Sequence, residues 1–188
     1  MKKYAALDLD RTVFKTKEFT NDISLVGADL AGIDVSRFVQ DSQQFRQISK
    51  ERLSHYDFFA QLESYGVSKN KKTIERITAM IIATKKSYVY DDASEFLSLL
   101  IHKQYNPFVL TYGESVYQSL KVAICPELNG VPVAVVQQPK RIHLASIGES
   151  GVLFDDVVQD ILPKGWRSEL IDRQMHPTNA LLRLSAQL

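Results

Sequence analysis

The sequence predicts an α/β fold, a parallel β-sheet with helices on both faces, interrupted by one inserted helical segment. Three observations predict it. Short apolar runs alternate with helical patterns at residues 4–7 and again from 89 to 171. Residues 15–88 carry amphipathic helical periodicity and no convincing strand. Acidic, hydroxyl and basic residues stand directly after the apolar runs, as expected where buried strands end at a polar edge. The expected organisation is a core of residues 1–14 and 89–188 with a helical insertion at 15–88.

The first strand is YAAL at residues 4–7, an apolar run after two lysines, closed by Asp8 and Asp10. The other strands are expected at 107–110 (PFVL), 131–136 (VPVAVV), 151–154 (GVLF) and 166–171 (WRSELI), where Trp166 packs on the sheet. Between them, Ala93, Phe96, Leu97, Leu100 and Ile101 recur at helical spacing before Pro107, with Asp91 or Asp92 available as N-cap. A helix over 114–124 turns Val116, Leu120, Ala123 and Ile124 to one face, and a short helix is expected over 155–162. In the insertion, the spacing predicts helices over 22–31 (Ile23, Val26, Leu30), 55–65 (Phe58, Phe59, Leu62) and 73–84 (Ile74, Ile77, Ile81, Ile82). Gly32, Gly66 and the lysine-rich stretch 69–72 punctuate them.

Composition limits the function classes. At 188 residues with 45% hydrophobic and 24% charged side chains, the chain has enough apolar surface to bury a core and no disordered tract. The 23 basic and 22 acidic residues leave a net charge of +1, so no excess positive field points to nucleic acid. The single Cys125 reads as a buried small hydrophobe and fits a reducing, cytoplasmic setting. No apolar run is long enough to span a membrane, and the opening MKKYAAL is interrupted by Asp8 and Asp10, unlike a secretion signal. His55, His102, His143 and His176 are scattered without metal-ligand spacing.

The chemistry concentrates at the strand ends. In an extended segment residues i and i+2 point to the same side, so Asp8 and Asp10 are expected to converge beyond the carboxyl end of the first strand. Close carboxylates repel, and one stays protonated unless a cation separates them. An all-oxygen ligand set favours Mg²⁺. Taken alone, Asp8-Leu9-Asp10-Arg11-Thr12 reads better as solvated loop aspartates with Thr12 as a turn residue. It is not alone, however. Thr111 closes the second strand before Tyr112, Gly113 and a helix, Lys140 follows the third, and Asp155 and Asp156, with Asp160 four residues on, follow the fourth. Lys121 and Arg141 compete with Lys140 for the same place, but Lys121 falls within the helix between strands two and three.

This ordered set resembles the haloacid dehalogenase (HAD) superfamily of hydrolases, of the phosphatase kind, whose core is Rossmann-like. DLDRT resembles the family's first motif, VLT ending at Thr111 its second, Lys140 its third, and LFDD with Asp160 its fourth. The resemblance covers residues 1–14 and 88–172, and Arg11 stands where glycine is common. It implies that Asp8 is a nucleophile forming an aspartyl-phosphate and that Asp10 is the general acid and base. It also implies Thr111 and Lys140 as phosphate-binding groups. Mg²⁺ would be held by the Asp8 carboxylate, the Asp10 backbone carbonyl and the pair Asp155 and Asp156, of which Asp156 aligns best as direct ligand.

A second aspartate acting as acid favours phosphate over halide displacement. The expected substrate is a small phosphorylated metabolite, with no nucleic acid or membrane partner, and residues 15–88 become a substrate-selecting helical cap. Phosphotransferase or mutase chemistry would use the same residues. A non-catalytic binding or regulatory module would have been free to lose Asp10, and a receiver domain would carry its phosphorylated aspartate on a later strand.

Overall fold

The computed structural model describes residues 2–51, 56–159 and 161–188. Along the chain run β1 (Lys3–Leu7), α1 (Thr16–Ala31), α2 (Val35–Glu51), α3 (Phe58–Ser64), α4 (Lys71–Ala83), α5 (Asp91–His102), β2 (Tyr105–Tyr112) and α6 (Ser115–Ala123). They are followed by β3 (Val133–Val136), α7 (Lys140–Ile147), β4 (Ser150–Asp155) and β5 (Trp166–Leu170). The chain divides into two compact units. One comprises Met1–Thr16, Ser87–Tyr112 and Cys125–Leu188, and the other Lys17–Lys86 and Gly113–Ile124.

The first unit is an α/β sandwich around a parallel sheet of order β3-β2-β1-β4-β5. β1 is central and covered on both faces, which is why its sequence is an unbroken apolar run, with Ala5, Ala6 and Leu7 fully buried. On one face Ala6, Phe108, Leu110, Leu153 and Trp166 pack with Leu144 and Ile147 of α7. On the other, Phe96 of α5 meets Phe154 edge-on with ring centroids 5.1 Å apart. The chain adds β2 and β3 on one side of β1, then crosses to add β4 and β5 on the other. That reversal opens a crevice at the carboxyl ends of β1, β2 and β4, where open α/β sheets place their ligands. Gly151 fits because β1 and β5 close around it: a Cβ there would stand 2.5 Å from the Tyr4 carbonyl oxygen and 2.8 Å from the Trp166 ring.

The second unit is helical, as the periodicity of 15–88 predicts, and it includes α6, which the sequence reading assigns to the core. The reason lies in the aromatic face of α6: Tyr117 stacks on Phe58 at 5.6 Å and packs on Phe19 and Tyr56. Lys69 binds Glu114 at 2.9 Å, and Glu114 in turn caps α6 by accepting from the Tyr117 N–H at 2.6 Å. Helix α3 starts at Asp57, whose carboxylate accepts from the Phe59 and Ala60 N–H groups.

Several local expectations change. No helix forms over the described part of 155–162, because Asp155 accepts from the Val157 N–H at 3.1 Å and from the Gln159 amide at 3.3 Å, drawing the backbone into an Asx turn instead. Neither Asp91 nor Asp92 is the N-cap of α5. Tyr90 is, because Asp91 pairs with Lys15 and Asp92 is buried against Arg173. Helices α2 and α7 are additional, and Lys140 opens α7. Strand β2 is longer than expected and β3 shorter. Asp160 and His55 lie outside the described residues. Cys125 is buried, and burial, with the Glu127 charge behind it, pushes its thiol up to about 12. Among the described residues no helix is long and apolar enough to cross a membrane.

Candidate active site

Parallel register sets the site. Leu7 pairs with Val109 of β2 and Phe154 of β4, so the next residues, Asp8 and Asp155, come level at adjacent strand ends. The Asp8 N–H donates to the Phe154 carbonyl at 2.8 Å, which fixes Asp8 as the last sheet-bound residue of its strand. The chain then turns sharply: the Leu9 carbonyl accepts from the N–H groups of Val13 at 3.2 Å and Phe14 at 2.9 Å. Arg11 occupies a left-handed conformation (φ 61°) within this turn. Within the same unit the Lys15 N–H donates to the Tyr88 carbonyl and the Tyr90 N–H to that of Val13.

Three carboxylates come together. One oxygen each of Asp8, Asp155 and Asp156 lies within 4.8 Å of the others. Lys140, itself buried, bridges two of them, with Nζ 2.5 Å from Asp8 and 2.8 Å from Asp155. Arg11 meets the third, with Nε 2.9 Å from Asp156. Of the three cations that competed in the sequence, Lys140 makes these contacts. Lys121 lies over the Tyr117 ring in the helical unit, and Arg141 is exposed.

Burial dominates the electrostatics. It pushes the Asp8 carboxyl up to about 7; Lys140 works against that rise, while the charges of Asp155 and Asp10 add to it. Asp156 is raised for the same first reason, with Arg11 opposing. Burial pulls Lys140 down, yet Asp8 and Asp155 together hold it above its ordinary value. A cluster that carries three carboxylates against one buried ammonium and one surface guanidinium, with only hard oxygen donors, fits a small divalent cation.

Asp10 does not join this trio. The expected convergence of Asp8 and Asp10 assumed an extended backbone through both, whereas the strand ends before the turn. The Asp10 carboxylate instead accepts from the Thr16 hydroxyl at 2.9 Å, while its charge is still felt at Asp8. Thr111 is buried and reaches the same sheet edge by register, two residues beyond the partner of Leu7.

Sequence reasoning missed Arg11 as a partner of Asp156, Thr16 as a partner of Asp10, and Arg173. The last donates twice to the Thr12 carbonyl, at 3.1 and 2.7 Å, and pairs with Asp92 at 2.8 Å, tying the turn after Asp8 to α5 and the C-terminal segment. Only Arg11, inside the motif, carried a local signal; the Arg173 contacts span 161 and 81 residues and have none.

The fold agrees with solved structures. The chain is similar to a protein of Burkholderia xenovorans described as a haloacid dehalogenase-like hydrolase, with TM-score 0.58 and 16% identity over 83% of this chain and 75% of that one. A crystallised dehalogenase matches with TM-score 0.57 and 13% identity over 100% of this chain and 97% of the other. A magnesium-bound Bacillus subtilis protein described as a HAD hydrolase matches with TM-score 0.51 and 14% identity, covering 82% and 78%. No protein-family model matches the sequence, and no curated protein matches it. The chain therefore has the fold of haloacid dehalogenase-like hydrolases, in agreement with the resemblance of its motifs.

Proposed function

We propose that this chain is a Mg²⁺-dependent phosphomonoester hydrolase of the haloacid dehalogenase type, acting through an aspartyl-phosphate on Asp8. The observation that carries the reading is the meeting of Asp8, Asp155, Asp156 and Lys140 at one sheet edge, with Asp10 two residues from Asp8 but held apart from the trio. Asp8, Asp155 and Asp156, with the Asp10 carbonyl, would hold the ion, and the bound ion supplies positive charge against the repulsion between carboxylate and phosphate dianion.

The remaining work falls to the side chains. Lys140 opposes the rise that burial imposes on the Asp8 carboxyl, favouring its anionic, attacking form, and shares its positive charge with the phosphoryl oxygens. The Thr111 hydroxyl donates to the same group. An Asp8 oxygen attacks phosphorus in line as the ester oxygen leaves, taking a proton from Asp10. Asp10, now a carboxylate, removes a proton from water, which attacks the phosphorus; inorganic phosphate departs and the Asp8 carboxylate is restored. Asp10 suits this because its carboxylate accepts from the Thr16 hydroxyl, while Lys140 bridges Asp8 and Asp155. The helical segment selects the ester, which we take to be a small phosphorylated metabolite.

The likeness to a dehalogenase supplies the rival reading, in which Asp8 displaces halide from a 2-haloacid. A second aspartate at i+2, which halide displacement would not need as an acid, favours phosphate. Release of inorganic phosphate and of chloride should be measured across a panel of phosphomonoesters and 2-chloroacids, with Mg²⁺ and with EDTA. Phosphate release that EDTA abolishes supports the proposal. Chloride release without phosphate release, or phosphate release indifferent to EDTA, refutes it.

A further inference from the structure

We infer that Arg11 is a displaceable counter-ion on Asp156 that weakens binding of a divalent cation at the carboxylate trio. The inference rests on the metal-site reading above. Two cations face the three carboxylates, and they differ in kind. Lys140 has 9% of its side chain exposed and touches two acids, so it is built into the protein. Arg11 has 64% of its side chain exposed and meets Asp156 through one 2.9 Å contact, so its guanidinium loses little by swinging into water. Asp156, with 14% of its side chain exposed, is the acid of that pair which the protein shields.

The backbone delivers the guanidinium to this place. Arg11 sits in a left-handed turn that would suit glycine better, and its N–H is held by the Phe14 carbonyl at 3.0 Å and the Thr16 hydroxyl at 2.9 Å. The turn is thus fixed, and the side chain leaves it toward Asp156. An ion entering the trio must share Asp156 with this positive charge or displace it, and both weaken its binding.

The test is direct titration of the metal-free full chain with Mg²⁺ by calorimetry and with Mn²⁺ by electron paramagnetic resonance, neither of which reads activity. Arg11→Gln and Arg11→Gly should bind either ion roughly three- to tenfold tighter than wild type, the change expected from removing one charge near a surface site. Arg11→Lys should stay within about twofold of wild type because the charge remains. The gap should shrink in high salt. Glycine also relieves the left-handed backbone, so agreement between the glutamine and glycine variants assigns the effect to charge. Equal or weaker binding in Arg11→Gln, or Arg11→Lys binding as tightly as Arg11→Gln, overturns the inference. If wild type binds and Asp156→Asn does not, the metal-site reading survives that failure; if neither wild type nor Arg11→Gln binds at millimolar concentration, both fall.

Discussion

Replacing Lys140 with Met, which fills similar space and carries no charge, should destabilise the metal-free protein in a way that depends on pH. Lys140 is buried and is the shared partner of Asp8, at 2.5 Å, and Asp155, at 2.8 Å. Removing one member of a buried ion pair and leaving the other costs about 3–5 kcal/mol. That full cost applies only while the acids left behind are charged. Burial already pushes Asp8 up to about 7 with Lys140 in place, and without the ammonium its carboxyl moves further up.

An acid whose folded value lies above its unfolded one binds more protons when folded, so stability falls as pH rises from the unfolded value of 3.8 through the folded value. Wild type in EDTA should therefore lose stability between about pH 4 and pH 7, and Lys140→Met should lose more and go on losing above pH 7. At pH 5 Asp8 is neutral in both proteins, so the gap there comes from the lost contacts and from Asp155 left without its buried partner. At pH 8, one unit above the Asp8 value of about 7, the gap should be wider than at pH 5 by up to about 1.4 kcal/mol, about 3–6 °C in Tm for a chain of this size. Urea and thermal unfolding of both proteins at the two pH values measure it. A gap equal at pH 5 and pH 8, or larger at pH 5, would refute the reasoning, because the cost would then come from packing and not from stranded charge.

The other predictions concern the acids and the sheet. Asp8→Asn should fold and lose turnover by on the order of 10³-fold or more, since the amide has no attacking charge; near-wild-type rates would remove Asp8 as nucleophile. Asp10→Asn should slow turnover about 10²- to 10⁴-fold and let acid-quenched label accumulate on the protein with esters of good leaving groups; an unchanged steady-state rate would take Asp10 out of proton transfer. Apparent Mg²⁺ affinity should rise with pH up to about 7, because the ion must displace the Asp8 proton, and calorimetry in buffers of different ionisation enthalpy reads that proton. Gly151→Ala should cost about 1–3 kcal/mol by overpacking, as its methyl group would meet the Tyr4 carbonyl at 2.5 Å; unfolding midpoints equal to wild type would show that β1 and β5 can part there.

The core strands were legible because they are buried on both faces, so YAAL and GVLF could hardly be anything else, and the polar residues that end them mark the edge where chemistry collects. Local pattern failed where a side chain competed with the backbone. Residues 155–162 looked helical, but Asp155 takes the Val157 N–H for itself, and the same acid takes Lys140; one carboxylate thereby stops a helix and joins the site. Asp91 and Asp92 looked like caps and are spent instead on Lys15 and Arg173, partners 76 and 81 residues distant.

The Asp8 and Asp10 spacing predicts a convergence that the structure does not have. The i, i+2 rule holds along a strand, and the strand stops at Leu7 because the chain must turn there to leave the sheet. That turn has a chemical consequence. An extended backbone would have set Asp10 beside Asp8, two acids competing for one cation. The turn hands Asp10 to Thr16 and lets Asp155, the last residue of β4, and Asp156 after it complete the trio. Two aspartates two residues apart therefore meet different partners, Asp8 the buried Lys140 and Asp10 the Thr16 hydroxyl, because the backbone between them is not a strand.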